Sequence, residues 1–600
     1  MNGAFQQTFA MRLRVMTSCR VCWRNMYAVC LAAVVACAVA IAPASSDVTK
    51  LRQSPESDDA QLSGTWRVSL HETDGVELDF RMTFAVNGTQ PLRWEAYTRP
   101  GAAREMVGGG TAILGSLLGK MPPHEALIYI RDGTGERHGE SISLRGTLES
   151  PFLGRRDLTG VLTHQGIHAD LVRSPSGVKA GTMEAVRDSS NEPFRNYTAL
   201  AAEVERAIRA SIFDPALLQR RDWQRFFQEL GSRFSQARDD LDAVAAFQAL
   251  KPSLGVSHLE FIRNPRLASL SVEDVIAGDK SVNPDKFVVL SFPAPEVASL
   301  RITVWDRVAP AVDRAFERIN STGSRVLILD IRGNPGGDAT SMAPLAHLIR
   351  EPVTIGTFVG RKWYEAHSTA PTLSDLAGLH AVSSDTPPSQ LLNDLHQYGA
   401  VVAKVSARTP YFAGTVFLLV NRTTASASEP LAYLLKATRR ATVIGERTAG
   451  EMLMALPHSL ADGWIVRIPE ADFITSDGMR IEAKGVEPDV KTEPTDVFLR
   501  VGDQIEATLP YSAAMLRGES YESLKRLADA ERAYRLALRM ADQQRPLPGP
   551  ASRAFVHKRL ATILTAKGDR EGALREYTEV LKLVPDDAEA LAALRGRGGN

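Results

Sequence analysis

The chain has 600 residues, more than one hydrophobic core can organise, so about three to five domains are expected. Its 70 basic and 70 acidic residues leave a formal net charge of +0, which gives no electrostatic ground for a nucleic-acid or polyanion partner. With 44% hydrophobic and 23% charged residues, the composition is that of ordinary globular protein.

At the N-terminus Arg12, Arg14, Arg20 and Arg24 precede an apolar run from Met26 to Ala42, and Ala42-Pro43-Ala44 follows as an A-x-A pattern. These features predict a secretory signal peptide over 1–44, cut between Ala44 and Ser45, with Met11 or Met16 as alternative starts. Two other readings stay open: an uncleaved anchor, although roughly 17 apolar residues are short for a span, and a lipid-bearing Cys37 in the loose lipobox Val34-Val35-Ala36-Cys37. Only those two would bring a membrane into play. All four cysteines, Cys19, Cys22, Cys30 and Cys37, lie in this leader, so a cleaved chain has no disulfide, thiolate metal site or cysteine nucleophile. The expected location is exported, periplasmic or envelope-associated in a bacterium.

From 45 to 192 short alternating segments such as Trp66-Arg67-Val68-Ser69-Leu70 and Val76-Glu77-Leu78-Asp79-Phe80 are separated by turn signals at Asn87-Gly88, Asp132-Gly133 and Ser176-Gly177. This pattern predicts an antiparallel barrel or sandwich. Gly64-Thr65-Trp66 with Gly160-Val161-Leu162 is similar to a lipocalin-type barrel opening, and a binding role and a structural role both stay open. Gly108-Gly109-Gly110 reads as a flexible loop without the pattern of a phosphate cradle. His164 and His168 have a spacing compatible with metal ligation but read more simply as a surface pair.

After Pro193 the pattern becomes helical, with segments over 200–211, 223–234 and 243–250, and it leads into Leu254-Gly255-Val256-Ser257-His258-Leu259-Glu260-Phe261, which alternates as a strand would. Strands over 287–292 and 326–331 flank a helix over 308–319, which implies right-handed crossovers and a mainly parallel sheet. Arg332-Gly333-Asn334-Pro335-Gly336-Gly337 follows at the carboxyl end of a central strand, where open α/β sheets place ligands, although a tight turn explains the same residues. The Ser/Pro-interspersed segment 361–406 reads as an irregular excursion over the active face.

Val416-Phe417-Leu418-Leu419-Val420 reads as a buried strand and Pro430 to Ala437 as a helix, so Thr424-Ala425-Ser426-Ala427-Ser428-Glu429 makes a sharp strand-to-helix turn. A serine there has free backbone N–H groups beside it and a helix N-terminus that favours negative charge, as a nucleophile needs, although helix capping alone also fits. The core is expected to close near Leu499. Beyond it, 554–585 carries a tetratricopeptide pattern (Leu560, Ala561, Leu564, Gly568-Asp569, Ala573, Tyr577, Leu581, Pro585), and 511–540 repeats it more loosely.

Taken together, LILDIRGNPGG (327–337), TASASE (424–429), ATVIGERTAG (441–450) and GVEPD (485–489) resemble peptidase family S41, the clan of C-terminal processing and tricorn-type core proteases. The resemblance covers about Thr198 to Val497. It implies a crotonase-like β/α core, peptide hydrolysis through an acyl-enzyme, and no metal or organic cofactor. The processing-protease branch places a lysine base after the glycine of a T-x-G-K stretch, where this chain has Glu451. The tricorn branch uses Ser, His and Glu with a helper serine, and its motifs map onto Gly255-Val256-Ser257-His258-Leu259-Glu260 and Glu482-Ala483-Lys484-Gly485-Val486. The resemblance therefore implies Ser426 as nucleophile, His258 as base, Glu482 and Ser257 as orienting groups, and the N–H groups of Ala427 and of Gly336 or Gly337 as the oxyanion hole. Val256 and Ala483 depart from the pattern, a PDZ insertion of usual size does not fit between His258 and Lys286, and the tricorn propellers are absent.

The expected architecture is multidomain α+β: signal peptide 1–44; β-rich barrel or sandwich 45–192; S41 peptidase domain 193–500, with helical lead-in 193–253 and crotonase-like core 254–500; and tetratricopeptide repeats 508–600. The expected function is that of an exported serine-type peptidase acting on peptides or unfolded protein, with a protein partner at the repeats. A catalytically silent ligand-binding protein or a repeat-based scaffold of the envelope is the alternative.

Overall fold

A computed structural model describes residues 61–89, 91–100, 102, 123–150, 153–278 and 280–595. The leader with its cysteines and the Gly108-Gly109-Gly110 loop lie outside the described residues. Among those described, no helix is long and apolar enough to cross a membrane.

The β-rich region is a closed barrel of eight antiparallel strands: β1 (Gly64–Glu72), β2 (Glu77–Thr89), β3 (Leu92–Tyr97), β4 (Tyr129–His138), β5 (Ser141–Ser150), β6 (Gly154–Thr163), β7 (Gly166–Arg173) and β8 (Val178–Arg187). β8 closes on β1 in a register running from Trp66 opposite Arg187 to Glu72 opposite Gly181, which leaves no free sheet edge. Period-2 alternation turns Trp66, Val68, Leu70, Phe80, Met82 and Phe84 inward, all buried, so side chains fill the lumen. His164 and His168 are exposed, and His168 pairs with Glu184 at 3.6 Å.

The helices Tyr197–Ser211, Arg221–Phe234 and Asp240–Leu250 share one continuous hydrophobic cluster with the barrel, and that cluster extends to Phe261 and Trp464. Asp240 pins the junction: its carboxylate accepts from the Asp79 N–H at 2.9 Å, the Tyr197 hydroxyl at 2.8 Å and Arg195 Nε at 3.0 Å. Trp464 is fully buried and stacks on Phe261 with ring centroids 4.4 Å apart. Trp464→Ala is therefore expected to lower stability by about 3–5 kcal/mol, read as a shift of the urea midpoint.

The chain continues through β9 (Glu260–Arg263), β10 (Val288–Ala294), β11 (Val297–Ile302), β12 (Val326–Asp330), β13 (Val353–Gly360) and β14 (His380–Ser383). It then forms β15 (Ala400–Val405), β16 (Thr415–Val420), β17 (Thr442–Gly445), β18 (Met454–Ser459), β19 (Trp464–Thr475) and β20 (Val490–Lys491). One sheet has the order β10-β11-β12-β16-β17-β20, parallel from β11 onward, and the other β14-β15-β13-β19-β18, with β9 beside β19. Adjacent parallel β12 and β16, with Leu327 opposite Val416 and Asp330 opposite Leu419, deliver the loops after residues 330 and 420 side by side.

Two expectations are corrected. Of the 254–261 segment only Glu260 and Phe261 lie in a strand, β9, because Gly255 (φ 63°) and His258 (φ 58°) break the extended backbone and the Ser257 N–H bonds to Glu482 instead of a ladder. The 361–406 segment is not irregular: it holds β14, β15 and the helix Pro388–Tyr398. Helices beyond Leu499 also pack on the sheet. Alternate residues Val326, Ile328, Phe417 and Leu419 face Val497, Val501, Tyr511 and Ala514 of the C-terminal helices, while Leu327, Leu329 and Leu418 face the opposite cluster. The helices from Val497 to Ile563 thus share a hydrophobic cluster with one face of the central sheet, and Gly518 is tight against Tyr534, whose ring would lie 2.5 Å from an added Cβ.

Candidate active site

Ser426 sits between β16 and the helix Ser428–Ala437 with φ 54°, a left-handed conformation that lifts its side chain out of the turn. Its N–H donates to the Glu451 carbonyl at 2.9 Å and to Glu429 Oε2 at 3.2 Å. Across from it lies the loop after β12. A Cβ on Gly336 would meet Ser426 Cβ at 2.5 Å and Oγ at 3.0 Å, and one on Gly337 would meet the Trp305 carbonyl oxygen at 1.9 Å. Glycine is what lets this backbone lie against the serine.

Buried Asn334 shapes that loop: its Nδ2 donates to the Ile302 carbonyl at 3.1 Å, its Oδ1 accepts the Gly336 N–H at 2.9 Å, and its carbonyl accepts the Ala425 N–H at 3.0 Å. Trp305 Nε1 donates to Ser428 Oγ at 2.7 Å and ties the loop to the helix that follows Ser426. Of the expected oxyanion donors, the Gly336 N–H donates to Asn334. The N–H groups of Gly337 and Ala427 donate to no group among the described residues.

Ser257, His258 and Glu482 form a second cluster. The Ser257 N–H donates to Glu482 Oε1 at 2.8 Å, the Ser257 hydroxyl to Oε2 at 3.0 Å, and His258 Nδ1 lies 2.9 Å from Ser257 Oγ. Because the hydroxyl proton goes to the carboxylate, Oγ accepts from Nδ1–H, which leaves His258 Nε2 as the unprotonated nitrogen. Glu482 thus reaches the imidazole through Ser257 and not directly. Burial lowers the His258 pKa to about 4, opposed by Glu260, so the ring is neutral at neutral pH. Burial also raises the Glu482 carboxyl, against the pull of its Met452 and Ser257 donors. No hydrogen bond joins His258 to Ser426.

What links the two clusters is the strap 448–452. The Met452 N–H donates to Glu482 Oε2 at 2.7 Å and the Ala483 N–H to the Gly450 carbonyl at 2.7 Å, while the Glu451 carbonyl receives the Ser426 N–H. Glu451 occupies the position of the processing-protease lysine, with its side chain exposed. Glu429, which the sequence reading passed over, is fully buried at the centre of this arrangement. Its one sequence signal is an acid in the first turn of an otherwise apolar helix.

Beside the Gly337 loop a cavity of about 360 Å³ is lined by Arg307, Asp338, Thr340, Met342, Ala343 and Arg408, with Ser384 to Pro388 as its far wall. That wall comes from the segment expected to overlie the active face. Among the described residues no cluster of three or more metal-ligating side chains is present.

Residues 296–492 match the model of peptidase family S41. It is 31% identical over 184 residues to the chloroplastic C-terminal processing peptidase of Tetradesmus obliquus, covering 31% of this chain and 32% of that protein. It is 26% identical over 271 residues to the carboxyl-terminal-processing protease of Synechocystis sp., covering 42% of this chain and 54% of the relative. The chain thus spans about a third to a half of the length of these curated relatives. The solved photosystem II D1 C-terminal processing protease aligns at 18% identity over 50% of this chain and 94% of its own, with a TM-score of 0.30.

Proposed function

We propose that this chain is an exported serine-type peptidase that cleaves peptides or unfolded protein segments in the bacterial envelope. The observation that carries the reading is the pair of uncommitted N–H groups, of Gly337 and Ala427, flanking a serine held at positive φ. Ser426 Oγ attacks the scissile carbonyl, and His258 Nε2 takes the hydroxyl proton and returns it to the leaving amine. The tetrahedral oxyanion accepts from Gly337 and Ala427. Water then enters along the path of the leaving amine, His258 deprotonates it, and the acyl-enzyme is hydrolysed. Glu482 acts through Ser257, fixing the Nδ1–H tautomer and stabilising the imidazolium as it forms. The Ser426 to His258 hydrogen bond closes when peptide occupies the site, as in other sites whose catalytic contacts tighten on binding. The cavity beside Asp338 takes a side chain of the substrate, with Met342 and Ala343 as its apolar floor.

The C-terminal helices, read as tetratricopeptide repeats, recruit a protein partner with the face turned away from the sheet. The ligand-binding alternative finds no support in the barrel, whose lumen is filled by side chains among the described residues.

The test is fluorophosphonate labelling of wild type, His258→Ala and Glu482→Ala across pH. The base works only when neutral, and a pKa lowered by burial extends the neutral form to lower pH. The wild-type labelling rate should therefore hold from neutral pH and fall as pH drops through about 4, and not through the usual 6.5. His258→Ala should lose labelling and Glu482→Ala weaken it. A folded wild type that does not label would sink the assignment.

A further inference from the structure

We infer that Glu429 is a positioning residue that sets the distance between nucleophile and base, by clamping the 448–452 strap to the backbone of Ser426. The inference rests on the peptidase reading above. Four donors converge on this one carboxylate. The Thr448 hydroxyl and the Gly450 N–H reach Oε1 at 2.6 and 2.8 Å, and the Glu451 and Ser426 N–H groups reach Oε2 at 2.8 and 3.2 Å.

A carboxylate has about four lone-pair sites, so every acceptor position of Glu429 is used, with no cation in the set. The side chain lies in the first turn of the helix Ser428–Ala437, where the helix N-terminus favours its charge. Burial raises the Glu429 carboxyl pKa, opposed by these four donors, two of which are backbone N–H groups of the strap itself.

The geometry ties this clamp to catalysis. Ser426 and His258 share no hydrogen bond. The strap runs from Glu429, on the nucleophile's helix, to Glu482, which holds Ser257 and so His258. The same strap accepts the Ser426 N–H through the Glu451 carbonyl. If the clamp opens, the two clusters move relative to each other without either losing its internal bonds. A displacement of about 1 Å between reacting groups is enough to cost on the order of a hundredfold in rate.

Glu429→Gln is nearly isosteric, but whichever way its amide turns, an NH2 faces two of the N–H or O–H donors. Thr448→Val removes one donor from the clamp. In the full chain, stopped-time fluorophosphonate labelling gives the rate constant and the final labelled fraction separately, and peptide hydrolysis gives kcat and KM. A merely structural role lowers the labelled fraction by unfolding part of the sample. A positioning role lowers the rate constant of a sample that still labels to completion.

The expected result is a fall of about a hundredfold in rate constant and kcat for Glu429→Gln, with KM within about twofold and full final labelling. For Thr448→Val a smaller fall in the same two parameters is expected. A wild-type rate constant in folded Glu429→Gln overturns the inference. So does a wild-type rate constant in Thr448→Val, should Glu429→Gln fail to fold. A wild type that never labels overturns the peptidase reading beneath it, which is a different result from a wild type that labels and variants that match it.

Discussion

Ser426→Ala should abolish covalent labelling and lower peptide hydrolysis by on the order of 10⁴- to 10⁶-fold, leaving only what the oxyanion donors and substrate binding contribute. Its folded stability should scarcely change, because the hydroxyl accepts and donates no hydrogen bond among the described residues. Ser426→Gly separates the two roles of the position further. The φ of 54° is strained for serine and free for glycine, so this variant should be inactive yet more stable than wild type by about 1 kcal/mol. A thermal melt of both variants beside the labelling assay checks the pair. Ser426→Gly melting below Ser426→Ala would mean that the turn is held by something other than the strain at this residue.

The second large effect is expected at Gly337→Ala. The added methyl would lie 1.9 Å from the Trp305 carbonyl oxygen, a backbone atom that also accepts the Asp338 N–H at 2.8 Å. Neither backbone can yield alone, because Trp305 is fixed to Ser428 through its indole and to Gly336 through its own N–H. The loop has to shift, and the Gly337 N–H shifts with it away from Ala427. Loss of one oxyanion donor costs about a hundredfold to a thousandfold in kcat, with KM little affected. Gly333→Ala is the matched control. Its φ is also positive, at 75°, but nothing lies within 4 Å of the added Cβ, so only a modest loss of stability is expected. Equal losses of activity in the two variants would show that the loop, and not the Gly337 donor, was being probed.

Much of this arrangement is legible in the residues, and what is illegible has a common cause. The strands around 326–331 and 416–420 read correctly because parallel strands buried on both faces are continuous apolar runs. Barrel strands read correctly as alternation, but their closure through β1 and β8 does not, since pairing between segments more than a hundred residues apart leaves no local mark. The 254–261 segment misleads because alternation of polar and apolar residues mimics a strand, whereas the Ser257 N–H is claimed by Glu482, 225 residues away. The choice between Gly336 and Gly337 turns on a backbone N–H, and backbone donors have no sequence signature. Glu429 is hidden for the same reason: three of its four partners are main-chain groups. The C-terminal helices show their own period, but not that the far face of the sheet completes their core.

The Ser257–Glu482 contact also has a consequence in time. A chain made from its N-terminus has His258 and Ser426 outside the ribosome before Glu482 has been synthesised. The strap at 448–452 can be tied to Glu482 only once β19, which pairs with β9 and β13, has been made, so the site is closed by contacts distant in sequence, at high loop-closure cost. On the proposed assignment, a nascent chain therefore carries Ser426 before the Glu482 that would orient its base has been made.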